Sequence, residues 1–332
     1  MISFRNLGMD DGYGGLFGSR LLMRSVRSLA WGVAEPVATL STLLPVRRER
    51  GVRVERNLPY HHDGKRAHRL DVYRPEAEAA ELPVVVYIHG GGFQTLSKNS
   101  HRVMALPFAE RGFVVVVVNY RLAPQYPFPA ALVDCARALE WFGFRARAFG
   151  ADLNRMVFAG ESAGANLALA LSLMCCYRRT EAWSRRVHAL GVAPRALVSY
   201  YGLLQVSDPG RFQRDNPRIP DWAQNQIRNV SDAYLQVDPR LPAGALELAD
   251  PLLLLEQHRA PVRKIPACFA AVGVRDPLLP DTRRLTEAAL AHGVAARAAY
   301  YPQQLHGFHA LGRPRVVLQC WSDTFDFLSE HV

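Results

Sequence analysis

The chain has 332 residues, enough for one large α/β domain or two smaller ones at roughly 100–200 residues per domain. Apolar residues make up 49% and charged residues 21%, a globular balance that excludes a disordered or collagen-like chain and leaves material for a large core. The formal charge of +10 raises nucleic acid as a partner, but the basic residues are scattered arginines, with lysine only at Lys65, Lys98 and Lys264, and no basic stripe interleaved with aromatics is present, so no nucleic-acid partner is expected.

The N-terminal segment places Arg20, Arg24 and Arg27 before an apolar stretch from Ser28 to Val46. It loosely imitates a signal peptide. However, it starts after Asp10 and Asp11, is broken by Glu35 and Pro36, and no A-x-A site follows. The expectation is an amphipathic helix that covers part of the same molecule or lies on a membrane surface. No apolar run reaches the ~18 residues of a membrane span.

From Gly51 the pattern turns to strand, turn, helix, strand. Val52 and Val54 alternate with Arg53 and Glu55, and Leu70, Val72 and Tyr73 form a second short strand ended by Pro75. Val84–Ile88 and Val114–Val118 are continuous apolar runs, as in strands buried on both faces of a parallel sheet. Further strands are expected at Met156–Ala159, Ala196–Tyr200, Ala267–Val272 and Ala296–Tyr300. Helical patterns run over Ala130–Phe149, Ala163–Arg178, Asp281–His292 and Arg315–His331. This alternation predicts an α/β fold with a mainly parallel central sheet flanked by helices. Val206–Leu248 interrupts it with prolines and one amphipathic stretch around Trp222–Leu235, and reads as an insertion over the ligand-binding edge. The amphipathic helix within Leu311–Val332 could serve a homodimer, though packing on its own sheet is the simpler reading. The five cysteines (Cys135, Cys175, Cys176, Cys268 and Cys320) are odd in number and form no CxxC. They predict reduced, buried thiols in a cytoplasmic protein rather than a disulfide framework or zinc site.

Gly160-Glu161-Ser162-Ala163-Gly164 is a G-x-S-x-G pentapeptide between an apolar strand and a helix, the context a nucleophile elbow needs. Small flanking residues leave room for a strained turn, and the helix N-terminus beneath offers free N–H groups. His89-Gly90-Gly91-Gly92-Phe93 follows the strand Val84–Ile88. Successive glycines let backbone N–H groups face a cavity, where one donor to an oxyanion is worth ~2.7–4 kcal/mol. A phosphate-cradling loop is the rival reading, but no G-x-G-x-x-G or G-x-x-x-x-G-K-[ST] is present.

A serine hydroxyl needs a base, and the base an orienting acid. Asp276 lies just past the strand Ala267–Val272, and His306 just past the last strand. Their order, Ser162, Asp276, His306, is that of an α/β-hydrolase triad. Asp281 and His309 are the rivals. Asp281 is expected to cap the next helix, and His309 falls after the turn glycine, Gly307. His61, His62, His101 and His258 lack strand-end context and read as surface or loop residues. No H-E-x-x-H or similar spacing appears, so no metal is expected.

With these motifs the chain resembles the hormone-sensitive-lipase-like branch of the α/β hydrolases, the bacterial family IV esterases that carry H-G-G-G and G-x-S-A-G. The resemblance runs from about Pro83 to the C-terminus. It includes Asn119-Tyr120-Arg121-Leu122-Ala123-Pro124, Pro127-Phe128-Pro129-Ala130-Ala131, Asp134, Asp276-Pro277-Leu278 and His306-Gly307-Phe308. It implies a cofactor-free carboxylic ester hydrolase with Ser162 as nucleophile, His306 as base and Asp276 as orienting acid. It also implies oxyanion donors at the N–H groups of Gly91, Gly92 and Ala163, in a loop shaped by His89 and Gly90. Relatives usually have Asp or Thr before the serine; Glu161 stands there in this chain, with its role open. The expected organisation is one α/β-hydrolase domain, with a catalytic core at about 50–205 and 249–332 and a cap at about 1–45 and 206–248. The expected substrate is a small ester of short to medium acyl chain. Weak membrane-surface contact through the N-terminal helix and homodimerisation stay open. So do a membrane-associated lipid hydrolase and a non-catalytic ligand-binding protein on the same fold, although the complete triad argues against the last. An unperturbed imidazole base predicts activity that falls as pH drops through roughly 6.5.

Overall fold

A computed structural model describes residues 51–77, 79–236, 244–311 and 314–332. The N-terminal helix and the cap segment 1–45 expected from sequence lie outside the described residues.

Eight strands form one sheet: β1 (Val52–Pro59), β2 (Arg69–Pro75), β3 (Leu82–Ile88), β4 (Val114–Val118), β5 (Ala151–Glu161), β6 (Ala196–Tyr200), β7 (Ala267–Gly273) and β8 (Ala296–Tyr301). Their order is β1-β2-β4-β3-β5-β6-β7-β8. β2 is antiparallel to both neighbours, and every pair from β4 across to β8 is parallel. The valine runs explain the centre. Val84, Val86 and Ile88 feed one core layer, while Val85 and Tyr87 feed the other, as the two-residue period of a strand dictates.

On the first face lie α2 (Ala130–Gly143) and α3 (Ala163–Cys176). Every residue of α3 is buried, because α4 (Ala182–Ala189) and α7 (Pro251–Glu256) cover its outer side. On the second face lie α1 (Arg102–Ala109) and α10 (Pro314–His331). Cys320, Trp321, Phe327 and Leu328 of α10 are buried in that layer, so the last helix packs on its own sheet. The short α9 (Phe308–Leu311) precedes it. Between β6 and β7 the interrupting segment contributes α5 (Arg211–Asp215) and α6 (Asp221–Tyr234), and α8 (Leu279–Ala291) follows β7. All five cysteines are free and buried.

One expected element changes shape and one helix was not expected. The helix expected over Ala130–Phe149 ends at Gly143, a poor helix former, and a separate 3-10 turn spans Ala146–Phe149. Helix α1 was hidden in the sequence by Pro107, which reads as a breaker but sits inside it. Among the described residues no helix is long and apolar enough to cross a membrane.

Candidate active site

The parallel strands all end on one edge, and the loops leaving β3, β5, β7 and β8 carry the residues singled out by sequence. Ser162 joins β5 to α3 with φ 51° and ψ −118°, a region costly for a residue with a side chain. The strain is held from both sides: Ser162 N–H donates to the Tyr200 carbonyl (2.9 Å), and its own carbonyl accepts from Leu203 N (3.2 Å). A glycine at 164 is obligatory, since a Cβ there would stand 2.1 Å from the Ile88 carbonyl oxygen.

Ser162 Oγ lies 3.0 Å from His306 Nε2, and His306 Nδ1 lies 2.8 Å from Asp276 Oδ2. The other Asp276 oxygen accepts from Leu278 N at 2.8 Å, which fixes the carboxylate. Asp276 is buried, whereas the His306 side chain is 41% exposed, so the ring has one face towards bulk solvent. Burial lowers the His306 pKa, but the charge and hydrogen bond of Asp276 outweigh it and raise the pKa above 6.5. The expected inflection at roughly 6.5 is therefore corrected upward. Tyr201, at the end of β6, packs edge-on against the His306 ring at 4.9 Å.

The rivals have other places. Asp281 does not cap a helix from outside: it lies in the first turn of α8, fully buried. It accepts two bonds from Arg211 (2.6 and 2.8 Å) and one from Leu204 N (2.8 Å), tying α5 to the core. His309 is buried among Tyr200, Phe308 and Trp321, and neither ring nitrogen makes a hydrogen bond among the described residues. Burial pulls its pKa down to about 3, so it is a neutral packing residue.

The glycine loop lies beside the serine. The Gly91 and Gly92 amides make no hydrogen bond among the described residues, and Ala163, as the first residue of α3, has an amide with no intrahelical acceptor. At Gly92 (φ 61°) a Cβ would stand 2.8 Å from Val230 of α6, so the interrupting segment sits directly on this loop. Phe93 stacks on Tyr234 of the same helix at 3.6 Å. Behind the loop, Tyr120 Oη donates to the carbonyls of His89 (2.8 Å) and Gly90 (3.2 Å), and its ring stacks on His89 at 4.2 Å. Burial and the nearby His101 hold the His89 pKa down to about 3. Arg121 in turn grips buried Asp134 with a two-pronged contact of 2.8 Å per prong.

Sequence reasoning missed the partners of Glu161. Its buried carboxylate accepts from Tyr87 Oη (2.6 Å), from the Gly90 amide (3.3 Å) and from His101 Nε2. His101, expected as a surface or loop residue, stands in the turn before α1 but is buried, and its Nδ1 faces the Ser97 carbonyl at 2.9 Å. Ser100 Oγ stands 3.0 Å from the same nitrogen, and Nε2 lies against the Glu161 carboxylate. Burial raises the Glu161 pKa, but His101, Tyr87 and Gly90 outweigh it and hold the pKa at about 2. The one sequence signal was an acid before the nucleophile; nothing local marked a histidine 60 positions upstream.

A family model described as alpha/beta hydrolase fold matches residues 85–310. The chain belongs to that family. Its motifs are those of the hormone-sensitive-lipase-like branch. It is 30% identical over 258 residues to the carboxylesterase NlhH of Mycobacterium tuberculosis, covering 76% of this chain and 74% of that protein. It is 29% identical over 241 residues to an acetyl esterase of Salmonella paratyphi A, covering 72% of this chain and 68% of that protein. Among solved structures, esterase B from Lactobacillus rhamnosis superposes with a TM-score of 0.72 at 20% identity, covering 93% and 95% of the two chains. At that identity the likeness shows the shared fold.

Proposed function

We propose that this chain, an ester hydrolase of the alpha/beta hydrolase family, is a serine carboxylesterase for esters of short to medium acyl chain. The contact series from Ser162 Oγ to His306 Nε2 (3.0 Å) and from His306 Nδ1 to Asp276 (2.8 Å) carries the reading. His306 takes the Ser162 proton as the oxygen attacks the ester carbonyl. The amides of Gly91, Gly92 and Ala163 receive the oxyanion. The alcohol leaves with the proton from His306. Water, deprotonated by the same ring, then attacks the acyl carbonyl and frees the acid and Ser162. Asp276 keeps Nδ1–H of His306 in place and balances its charge in both steps. Glu161 touches no substrate; it holds Gly90, and through it the donor loop.

The described part of the interrupting segment, 206–236, acts as part of a cap on a core of about 51–205 and 249–332. Val230 against Gly92, and Tyr234 on Phe93, support that placement. The short-chain preference rests on this bulk beside the donor loop and on the acetyl esterase among the relatives. The test is hydrolysis of p-nitrophenyl esters from acetate to palmitate by wild type and Ser162→Ala. A short-chain optimum abolished by the substitution supports the proposal. Serine-independent turnover refutes the mechanism, and a long-chain optimum refutes the substrate class.

A further inference from the structure

The loop joining β1 to β2 has no part in this chemistry, yet it gathers three metal-ligand side chains. Its sequence is His61-His62-Asp63-Gly64-Lys65-Arg66-Ala67-His68. Gly64, at φ 74°, reverses the chain, and the Tyr60 amide bonds to the His68 carbonyl at 3.1 Å, so the two ends of the loop meet. His61 and His68 then face each other edge to ring at 5.0 Å. Both present Nδ1 to the same oxygen, Asp63 Oδ1, at 3.5 Å from His61 and 2.7 Å from His68. One donor atom from each of the three residues lies within 4.8 Å of the others.

Hydrogen bonding explains only part of this. Asp63 Oδ1 also accepts from the Lys65 amide at 3.2 Å, and Lys65 Nζ sits on the opposite oxygen at 3.0 Å. Nδ1 of His61 is buried and makes no hydrogen bond among the described residues. The His68 ring is 2% exposed and stands between two carboxylates, with Nε2 3.2 Å from Asp134 Oδ1. A neutral imidazole has one proton to offer them. His68 Nε2 makes no hydrogen bond among the described residues, whereas Nδ1 bonds to Asp63 Oδ1 at 2.7 Å, so the one proton lies in the Nδ1–Asp63 contact, where a cation can take its place. A buried carboxylate behind the second nitrogen is also how metal-ligating histidines are oriented.

We propose that His61 Nδ1, Asp63 Oδ1 and His68 Nδ1 bind a divalent transition ion of the zinc class, with water completing the coordination. Two imidazoles and one carboxylate suit Zn²⁺ or Co²⁺ and do not suit Mg²⁺ or Ca²⁺, which take oxygen ligands. Bonds of about 2.0–2.2 Å in tetrahedral geometry set the donors roughly 3.3 Å apart. The 3.5 Å separation is already close to this, and the 2.7 Å contact opens as the ion replaces the shared proton. The ion clips this loop to α2 through His68 and Asp134, so it is structural.

The test uses the full chain, stripped with EDTA and titrated with Co²⁺. One equivalent should give the visible ligand-field bands of a four-coordinate site, and Zn²⁺ should abolish them by displacement. His61→Ala and Asp63→Asn should each weaken Co²⁺ affinity at least 10-fold, and Zn²⁺ should raise the melting temperature of wild type but not of either variant. The His61 side chain is 40% exposed, so His61→Ala is expected to keep the wild-type melting temperature in EDTA. Absence of saturable binding at one equivalent, or binding that survives both substitutions, overturns the proposal.

Discussion

Replacing Glu161 by Gln removes a charge and changes almost no volume. The carboxylate accepts three donors: Tyr87 Oη, the Gly90 amide and His101 Nε2. An amide offers one oxygen and one NH₂. If the oxygen stays on Gly90 and His101, Tyr87 loses its acceptor. If the amide flips, NH₂ faces two donors. Either way at least one buried donor is stranded, at a cost of about 1–3 kcal/mol in stability. Catalysis suffers through Gly90, which precedes the two proposed oxyanion donors. One such donor is worth ~2.7–4 kcal/mol, and losing about half of that lowers kcat roughly 10- to 30-fold. The loss falls on kcat and kcat/KM alike, with KM within about two-fold, because the donors act on charge present only in the transition state. A p-nitrophenyl acetate assay on the folded variant measures this. There is an acid-stability signature too. Glu161 has its pKa lowered from 4.5 to about 2, so its contribution is complete above 4.5 and is lost as pH falls through about 2. The melting-temperature gap between wild type and Glu161→Gln should therefore close between these values. A kcat within two-fold of wild type, or a loss confined to KM, would show that Glu161 does not position the loop.

Three further outcomes follow from the same geometry. The raised His306 pKa predicts that kcat/KM falls as pH drops through a value above 6.5, and a midpoint at or below 6.5 in the pH–rate profile would contradict the dominance of Asp276 over burial. Asp281→Ala strands the Arg211 charge in the interior and should lower stability by about 3–5 kcal/mol in urea titration. Asp276→Asn should instead cut kcat by orders of magnitude, and a reversal of these two phenotypes would exchange the roles of the carboxylates.

The sheet was legible because burial on both faces writes itself as unbroken runs such as Val114–Val118. The elbow and the glycine loop were legible because a strained turn and a close backbone approach each demand glycine at fixed offsets. His306 was distinguishable from His309 by its place before Gly307, and the structure puts them in opposite settings: one ring on Ser162, the other packed with no hydrogen-bond partner among the described residues. What sequence could not supply were pairings between distant segments. Glu161 meets His101 only because β3 and β5 are neighbours and α1 packs close by. Asp281 looked like a helix cap, but α8 starts two residues earlier and turns its carboxylate inward to Arg211. His61 read as a surface or loop residue and His68 carried no signal, because their convergence depends on the β1–β2 connection closing on itself.

The assignment of Ser162 as the attacking group is open to direct chemical trapping. A short-chain p-nitrophenyl alkylphosphonate places phosphorus where the ester carbon would sit, and attack forms a stable phosphorus–oxygen bond as p-nitrophenolate leaves. One equivalent of p-nitrophenol should be released per chain, hydrolysis should cease, and peptide mass spectrometry should find the phosphonyl group on Ser162 alone. Inactivation with the label on another residue, or a chain that stays active with Ser162 unmodified, would contradict the mechanism.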